Sequence, residues 1–237
     1  MKISERIDQA LKLLLHSGKE KEPKKWQSVS APDSMIEINN LFFDMVIPKT
    51  KKELERETKP DLPWAEDHFK ERVDGSPLNP GSQYLNWPYY RKSLDDERFR
   101  NELKFSHTYM ERYWPPAKKG IRYPMGNLDD IVDRLIEDPT TRQAYFSVWH
   151  PEDQSNEARR LPCSLGYWFK VENDKLDCTY HIRSCDVVRH FKNDIYMTGR
   201  LVQWICKEMK IDPGNLYMWV GSLHIFKSEL WKIKKKD

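Results

Sequence analysis

Four short clusters in the second half of the chain contain the side chains best suited to chemistry. They are Pro162-Cys163-Ser164, Arg183-Ser184-Cys185-Asp186, Phe191-Lys192-Asn193-Asp194 and Gly221-Ser222-Leu223-His224. A cysteine thiolate is a nucleophile, an arginine guanidinium forms paired hydrogen bonds with phosphate, and aspartate or histidine can transfer protons. Each residue also has a structural interpretation when taken alone. A lone cysteine is more often a small buried hydrophobe, a lone histidine is often structural, and Arg183 could simply pair with Asp186.

The composition excludes several classes of protein. The 237 residues include 40 Lys+Arg and 37 Asp+Glu, a formal net charge of +3, which by itself gives little attraction for nucleic acid. No run approaches the roughly 20 apolar residues of a membrane-spanning helix. The 9 Trp, 11 Tyr and 9 Phe are too many for a disordered chain, and the 4 Cys are too few for a disulfide scaffold and lack zinc-site spacing. With no apolar signal near the N-terminus, we expect a soluble, cytoplasmic protein, in the host cytoplasm if it is phage-encoded.

The elements that must position these clusters follow from periodicity and turn residues. Helical spacing predicts helices over residues 3–15, 64–73, 127–136 and 194–209. Alternating β-branched and aromatic residues predict strands over 35–47, 143–149, 164–171, 176–183 and 216–226, with a hairpin turn at 172–174. Residues 49–63 are interpreted as a charged connection and 76–90 as an ordered, irregular loop. This order predicts an α+β fold in which residues 1–237 form a single domain.

Together and in this order, the four clusters resemble the thymidylate synthase superfamily. The similarity runs from LPCSLGYWFKVENDKLDCTYHIRSCDVV through HFKNDIY to VGSLHIF, and RSCDV is its most specific piece. The HFKND and VGSLHI pieces, with DPTTRQAYFSVWHPED, look most similar to the phage deoxycytidylate (dCMP) hydroxymethylases. The resemblance implies a large mixed or antiparallel sheet flanked by helices, dimerising through the sheet, and a reaction that uses no metal.

The resemblance identifies Cys163 as the nucleophile of a one-carbon transfer. Carbon 5 of a pyrimidine becomes reactive when a thiolate adds to carbon 6, and it can then attack 5,10-methylenetetrahydrofolate, the implied co-substrate. Because only the thiolate adds, we expect nearby positive charge to lower the pKa of Cys163. Arg183 matches the family's phosphate-binding arginine, and Ser184 would donate a second hydrogen bond to the same phosphate.

The resemblance also implies a homodimer with shared sites. Arg142 matches the first of two consecutive arginines that reach the phosphate in the partner subunit's site. The second position is Gln143, which has no charge, so the usual double clamp is incomplete. A further N-terminal arginine of the family has no clear match, and Lys24 or Lys25 could substitute for it.

Three more site residues follow from the same resemblance. Asp186 matches the aspartate that faces the folate pterin, where a carboxylate can assist ring opening. His224 matches the histidine that binds the sugar 3′-hydroxyl, but the usual tyrosine two residues later is Phe226, so a ribonucleotide (CMP) stays open. Glu66, in WAEDHF, is the candidate general acid/base glutamate, and Glu71 is the alternative.

The aspartate at position 194 indicates which pyrimidine base the site binds. Thymidylate synthases have asparagine at the matching position, and an amide satisfies both the N3–H donor and the O4 acceptor of uracil. An ionised carboxylate only accepts, so it would repel O4. A carboxyl that shares a proton with cytosine N3 and accepts from the 4-amino group fits cytosine and also makes carbon 6 more electrophilic. A carboxylate favoured by the helix N-terminus is the structural alternative.

The product and the class of protein leave alternatives open. Water added to the one-carbon intermediate gives a hydroxymethyl group, and hydride from the folate gives a methyl group. The end WKIKKKD lacks the short apolar C-terminus of thymidylate synthases, which favours hydration. The predicted activity is therefore dCMP hydroxymethylase. The alternatives are a dCMP or dUMP methyltransferase and a CMP or dUMP hydroxymethylase. A nucleic-acid-binding protein is the non-enzymatic alternative, against which the complete set of matching site residues argues.

Overall fold

Helices and strands are mixed along the chain in the computed structural model, which describes residues 1–26, 29–30, 33–89, 100–101, 104–116, 124–156 and 160–234. The helices are α1 Ile3–Ser17, α2 Lys51–Thr58, α3 Trp64–Arg72, α4 Tyr109–Tyr113, α5 Leu128–Glu137, α6 Lys192–Met209 and α7 Trp231–Lys234. The strands are β1 Lys19–Lys21, β2 Lys25–Trp26, β3 Val29–Ser30, β4 Met35–Val46, β5 Arg100–Asn101, β6 Lys104–Phe105, β7 Tyr145–Ser147, β8 Ser164–Glu172, β9 Lys175–Ile182, β10 Cys185–Asp186 and β11 Asp212–Phe226. A short π-helix, Val187–Phe191, precedes α6.

A mixed sheet forms the centre of the fold. Its strand order is β1-β4-β11-β9-β8-β7, and β10 pairs with β11. Strand β11 is antiparallel to β4 and parallel to β9. The predicted hairpin joins β8 to β9, and its turn places Asn173 and Asp174 at φ 51° and 57°, in the left-handed region that a two-residue hairpin turn requires.

The two faces of the sheet differ in burial because side chains alternate along each strand. On one face, Phe43 of β4 and Tyr180 of β9 are almost fully buried in a core that includes residues of α1 and α6. On the other face Phe42, Val46 and Tyr145 keep 62%, 53% and 45% of their surface exposed. Helices therefore cover one face of the sheet, and the second face presents large apolar side chains to solvent.

Helix α2 lies where the sequence predicts only a charged connection, so that prediction is wrong. Thr50 caps the helix by accepting a hydrogen bond from the Glu53 backbone N–H at 3.2 Å. Leu54 is fully buried and packs against Gly199 of α6, where a Cβ would lie 2.8 Å from a Leu54 methyl. A good cap and one closely packed leucine thus stabilise a helix whose composition is mostly charged.

The other predicted helices and strands are confirmed, with boundaries that shift by a few residues. Asn127 caps α5 in a capping box with Asp130, as its position before the apolar run predicts. Residues 76–89 are irregular apart from a 3₁₀ turn at Ser82–Tyr84, and residue 90 of that predicted loop lies outside the described residues. None of the described helices is long and apolar enough to cross a membrane.

Candidate active site

A cavity opens between the helices α3 and α4 and the segments that carry the sequence clusters. It contains about 1140 Å³ of empty space, including the part open to solvent. Cys163, Ser184 and Asp194 line it, so three of the predicted site residues face the same space. Arg160, three residues before Cys163, also lines it. Its other walls come from parts of the chain far away in sequence, and they include Trp64, His68, Glu71, Arg72, Trp87 and Tyr109.

Cys163 lies immediately before β8, and Arg183 holds it in place. The Arg183 backbone N–H donates to the Cys163 carbonyl at 2.9 Å. The Arg183 guanidinium donates to the carbonyls of Pro162 and Leu161 at 2.9 and 3.0 Å. Two of the guanidinium nitrogens are therefore used to brace the loop that carries the thiol.

The pKa of Cys163 shifts in the opposite direction from the sequence prediction. Burial raises the pKa of the thiol above its ordinary value, and the positive charges of Arg183 and Arg160 only partly oppose the rise. The free site therefore holds Cys163 mainly as the thiol. The two arginines still favour the thiolate, because each stabilises negative charge on sulfur.

Asp194 lies in the first turn of α6, and its carboxyl faces the cavity. Its Oδ2 accepts a weak hydrogen bond from the Cys185 thiol at 3.6 Å. Burial raises the pKa of Asp194 to about 7, although the charge of Arg72 and the Cys185 thiol both act to lower it. The carboxyl can therefore gain or lose a proton near neutral pH.

Asp186 and His224 are brought together, but away from the cavity. They are opposite each other in the parallel pairing of β10 with β11. Asp186 does not pair with Arg183. Its Oδ1 accepts from the backbone N–H groups of Val188 and Arg189 at 2.9 and 3.0 Å, and so caps the π-helix. Burial raises the pKa of Asp186 and lowers that of His224. Neither residue lines the cavity.

The predicted phosphate contacts of the N-terminal half and of β7 are also outside the cavity. Arg142 is exposed just before β7, where its carbonyl accepts from the Trp168 indole at 3.2 Å. Lys24 is exposed, and the Lys25 side chain lies outside the described residues.

Glu66 does not face the cavity, which corrects the preferred candidate for the acid/base glutamate. Its Oε2 accepts from the Tyr196 hydroxyl at 2.7 Å and from Arg200 Nε at 2.9 Å. The reason is helical geometry, because Trp64, His68 and Arg72 share a face of α3 at four-residue spacing and Glu66 lies on another side.

Glu71, the alternative, does line the cavity. One of its carboxylate oxygens accepts from both the backbone N–H and the hydroxyl of Ser82. The other lies 3.5 Å from Nδ1 of His68, whose ring stacks on Trp64 at 5.3 Å. Burial lowers the pKa of His68 to about 4, so its imidazole is neutral at physiological pH.

Tyr109 and Arg72 line the cavity as well, although none of the four sequence clusters predicts them. The Tyr109 hydroxyl accepts from the Ser164 hydroxyl at 3.2 Å, directly beside Cys163, and burial raises the pKa of Tyr109 to about 12. The Arg72 guanidinium carbon lies 4.1 Å from the centre of the Tyr109 ring. A capping box between Thr108 and Glu111 begins α4, and it is the sequence signal that could have located this wall.

The fold and the cavity define an α+β protein in which a half-buried cysteine and a titratable aspartate face one ligand-sized space. In the parts of the chain that the structure describes, no three or more His, Cys, Asp or Glu side chains are grouped to hold a metal ion. The family model described as "Thymidylate synthase" matches residues 84–236. The chain belongs to the thymidylate synthase family.

Relatives and a solved structure agree with this assignment. The chain is 26% identical over 143 residues to the thymidylate synthase of Listeria innocua serovar 6a, which covers 60% of the chain and 45% of that protein. The enzyme of Listeria monocytogenes serotype 4a is 25% identical over the same coverage. The chain thus spans less than half the length of the curated relatives it matches. Thermostable thymidylate synthase A from Bacillus subtilis has the same fold, with a TM-score of 0.72, 16% identity and coverage of 99% of this chain and 83% of that one.

Proposed function

We propose that this protein transfers a one-carbon unit from 5,10-methylenetetrahydrofolate to carbon 5 of a cytosine nucleotide and hydrates it, as a dCMP hydroxymethylase similar to the phage enzymes. The observation that carries the proposal is the pairing of Cys163 with Asp194 in one cavity. Cys163 supplies the nucleophile, and Asp194 distinguishes cytosine from uracil by its hydrogen bonds.

The first step is addition of the Cys163 thiolate to carbon 6 of the base, which forms a sulfur–carbon bond and moves the electron pair to carbon 5. That carbon attacks the methylene of the co-substrate, loses its own proton, and tetrahydrofolate leaves. Arg183 and Arg160 favour the thiolate that begins this sequence. Ser184 and the remaining guanidinium nitrogen of Arg183, Nη1, would bind the anionic phosphate.

The choice of cytosine depends on Asp194. A carboxyl with a pKa of about 7 can share one proton with cytosine N3 while its other oxygen accepts from the 4-amino group. A proton on N3 withdraws electrons from carbon 6 and so assists the thiolate. Uracil would place its O4 against an acceptor oxygen whenever the carboxyl is ionised, and a buried mismatch of this kind discriminates strongly.

The polar wall of the cavity supports hydration of the transferred carbon. After tetrahydrofolate leaves, water adds to the exocyclic methylene, its proton passes to a base, and loss of Cys163 restores the 5,6 double bond. The neutral imidazole of His68 can accept a hydrogen bond from such a water, and Glu71 lies 3.5 Å from its other nitrogen. This step needs no oxidant or reductant.

A homodimer formed through the exposed face of the sheet is part of the proposal. The rings of Phe42 and Tyr217 stack there at 6.3 Å, and those of His181 and Trp219 lie 6.5 Å apart. A contiguous apolar face of this kind is typical of a protein interface. Arg142 would then reach the phosphate in the partner's site, and His224 and Asp186 would meet the sugar and the folate after a rearrangement on binding.

Product analysis tests the proposal. The purified protein is incubated with 5,10-methylenetetrahydrofolate and with dCMP, CMP or dUMP in turn, and the mass of each product is measured. We expect a hydroxymethyl product from dCMP. Turnover of dUMP alone would contradict the assignment of Asp194, and a methyl product would contradict the hydration step.

Thymidylate synthesis is the second candidate, because the matched relatives in two Listeria species have that name. It would transfer hydride from the folate to give a methyl group on dUMP, and the folate would leave oxidised as dihydrofolate. Dihydrofolate absorbance therefore separates the two candidates directly. Its appearance with dUMP, and its absence with dCMP, would favour the second.

A further inference from the structure

Arg72 is a buried arginine without an acidic partner. Only 5% of its surface is exposed to solvent, and it lines the cavity that also contains Cys163 and Asp194. In the described residues it forms no ion pair, and its Nε has no hydrogen-bond partner. Arg112 shows the usual arrangement, since it is equally buried and donates to Asp153 at 2.7 Å.

The position of Arg72 is fixed by neighbours that do not neutralise it. Its guanidinium lies 4.1 Å over the Tyr109 ring, and its carbonyl accepts from the Trp114 indole at 2.9 Å. A cation over an aromatic face gains far less free energy than the burial of an unpaired charge costs. The positive charge of Arg72, which these neighbours do not neutralise, therefore acts on the other groups of the cavity.

Asp194 is the acid in that cavity on which this field acts. Five parts of the chain surround its carboxyl. The groups that face it are Cys185 of β10, Tyr180 of β9, Tyr109 of α4, Arg72 of α3 and Cys163 before β8. Among these groups the guanidinium of Arg72 has the fixed positive charge, and the others are neutral or become anionic.

We propose that Arg72 is a positioning residue that acts across the cavity on Asp194, favours its ionised carboxylate, and so determines the pH range over which the site accepts a pyrimidine. This inference rests on the proposed function for its consequence in catalysis. An ionised Asp194 repels uracil O4, whereas a neutral carboxyl can donate a hydrogen bond to it. The cytosine contact also needs one shared proton, so Arg72 lowers the pH above which the site stops accepting either base.

The sign of the effect follows from the two opposing influences on Asp194. Burial raises its pKa to about 7, and Arg72 acts to lower it. Loss of the Arg72 charge should raise the pKa further, so that the carboxyl keeps its proton to higher pH. Because both base contacts need one proton at Asp194, the falling limb of the pH–rate profile should move upward for either nucleotide.

The test compares Arg72→Met with Arg72→Lys, which keeps the charge, and with Arg160→Met, whose charge acts on Cys163. The first readout is the titration of the Asp194 carboxyl by carbon-13 NMR in the free protein, assigned by its loss in Asp194→Asn. In Arg72→Met we expect an upward shift of about one pH unit, with little change in Arg72→Lys. Arg160→Met should leave the Asp194 titration near its wild-type position.

The second readout is kcat/KM for dCMP and dUMP across pH. Arg72→Met should move only the falling limb, upward by about one pH unit for either nucleotide, with the dUMP to dCMP ratio little changed. An unchanged or lowered Asp194 titration in folded Arg72→Met, or an equal shift in Arg160→Met, would overturn the inference. Arg72→Gln gives the same decision if the methionine variant does not fold. If neither nucleotide reacts, the proposed function fails, while the NMR titration still decides the role of Arg72.

Discussion

The two walls of the cavity are built in different ways. The strand wall is formed by Cys163 and Ser184 beside the sheet and by Asp194 at the start of α6, and backbone hydrogen bonds that continue the sheet position its first two residues. The Arg183 N–H bonds the Cys163 carbonyl at 2.9 Å, and the Ser222 N–H bonds the Arg183 carbonyl at 3.0 Å. The loop that carries the thiol is therefore fixed by the register of the sheet.

The helix wall, formed by Trp64, His68, Glu71, Arg72 and Tyr109, is held by side-chain contacts instead. The Trp64 ring stacks on His68, and Arg72 lies over Tyr109. Contacts of this kind tolerate substitution without displacing a strand. The comparison suggests that the strand wall supplies the reacting groups, and that the helix wall adjusts their charge and the water around them.

The largest expected effect is on the strand wall, at Cys163. Cys163→Ser should reduce turnover on the order of 10⁴-fold or more, because a hydroxyl is a far poorer nucleophile at neutral pH. The backbone contacts of residue 163 do not use its side chain, so the fold should be retained. Single-turnover kinetics and circular dichroism check both parts. Activity above a few per cent of wild type would remove the basis of the covalent mechanism.

Asp194→Asn should reverse the choice of base. The amide provides the donor that uracil O4 needs and removes the acid that activates cytosine, so kcat/KM should fall for dCMP and rise for dUMP. A change of about 10³-fold in their ratio is expected from a buried hydrogen-bond mismatch. With wild type, the dCMP rate should fall as pH rises through about 7, since Asp194 then loses the shared proton. An unchanged ratio in the Asn variant would mean that Asp194 does not contact the base.

Subunit complementation tests whether the strand wall is completed by a second copy of the chain. Arg142→Ala and Cys163→Ala should each be inactive or nearly so. After mixing and exchange, half of the dimers carry one intact site, so activity should return to about a quarter of wild type. A fully active monomer in sedimentation, or no recovery after exchange is demonstrated, would contradict shared sites.

Much of the fold could be predicted because its signals are local. Asn173 and Asp174 tolerate the left-handed backbone of the β8–β9 turn, and Asn127 caps α5 next to an apolar run. Helix α2 was not predicted because its stability comes from Leu54 packing on Gly199, a contact between residues far apart in sequence. Three residues of the strand wall could be predicted because short motifs on neighbouring strands and the start of α6 converge there.

The helix wall could not be predicted from the same sequence. Trp64, Glu66, Phe69 and Arg72 are all buried, so α3 has no clear polar face that would indicate its orientation. Glu66 was matched through the short motif WAEDHF, which does not indicate which side of the helix faces the cavity. Asp186 is a different case, since its motif was recognised but its carboxylate caps the following π-helix.

Tyr109→Phe tests the junction between the walls. The hydroxyl accepts from Ser164 at 3.2 Å, beside the nucleophile, and its removal leaves that contact unmade. We expect kcat to fall about tenfold, equivalent to roughly 1.4 kcal/mol, with KM nearly unchanged. Ser164→Ala is the matched variant, and the pair should be less than additive in a double-mutant cycle. Full additivity would show that the two hydroxyls act separately.

The smallest effect on rate is expected at Glu66, on the side of α3 that faces away from the cavity. Burial acts to raise the pKa of Glu66, but hydrogen bonds from Arg200 and Tyr196 outweigh it, and the pKa lies below its ordinary value. Glu66→Gln should therefore cost about 1–2 kcal/mol of unfolding free energy at pH 7 with little change in kcat. Because the folded pKa is lowered, the stabilisation is present above the unfolded pKa and is lost as pH falls through the folded one, so variant and wild type should converge in acid.

Glu71→Gln, on the cavity side of the same helix, should show the reverse pattern, with a slower rate at similar stability. Urea denaturation at pH 7 and pH 4 measures the stability of each variant, and initial rates measure its activity. A large rate loss in Glu66→Gln alone would contradict the placement of the acid/base group on the cavity side of α3.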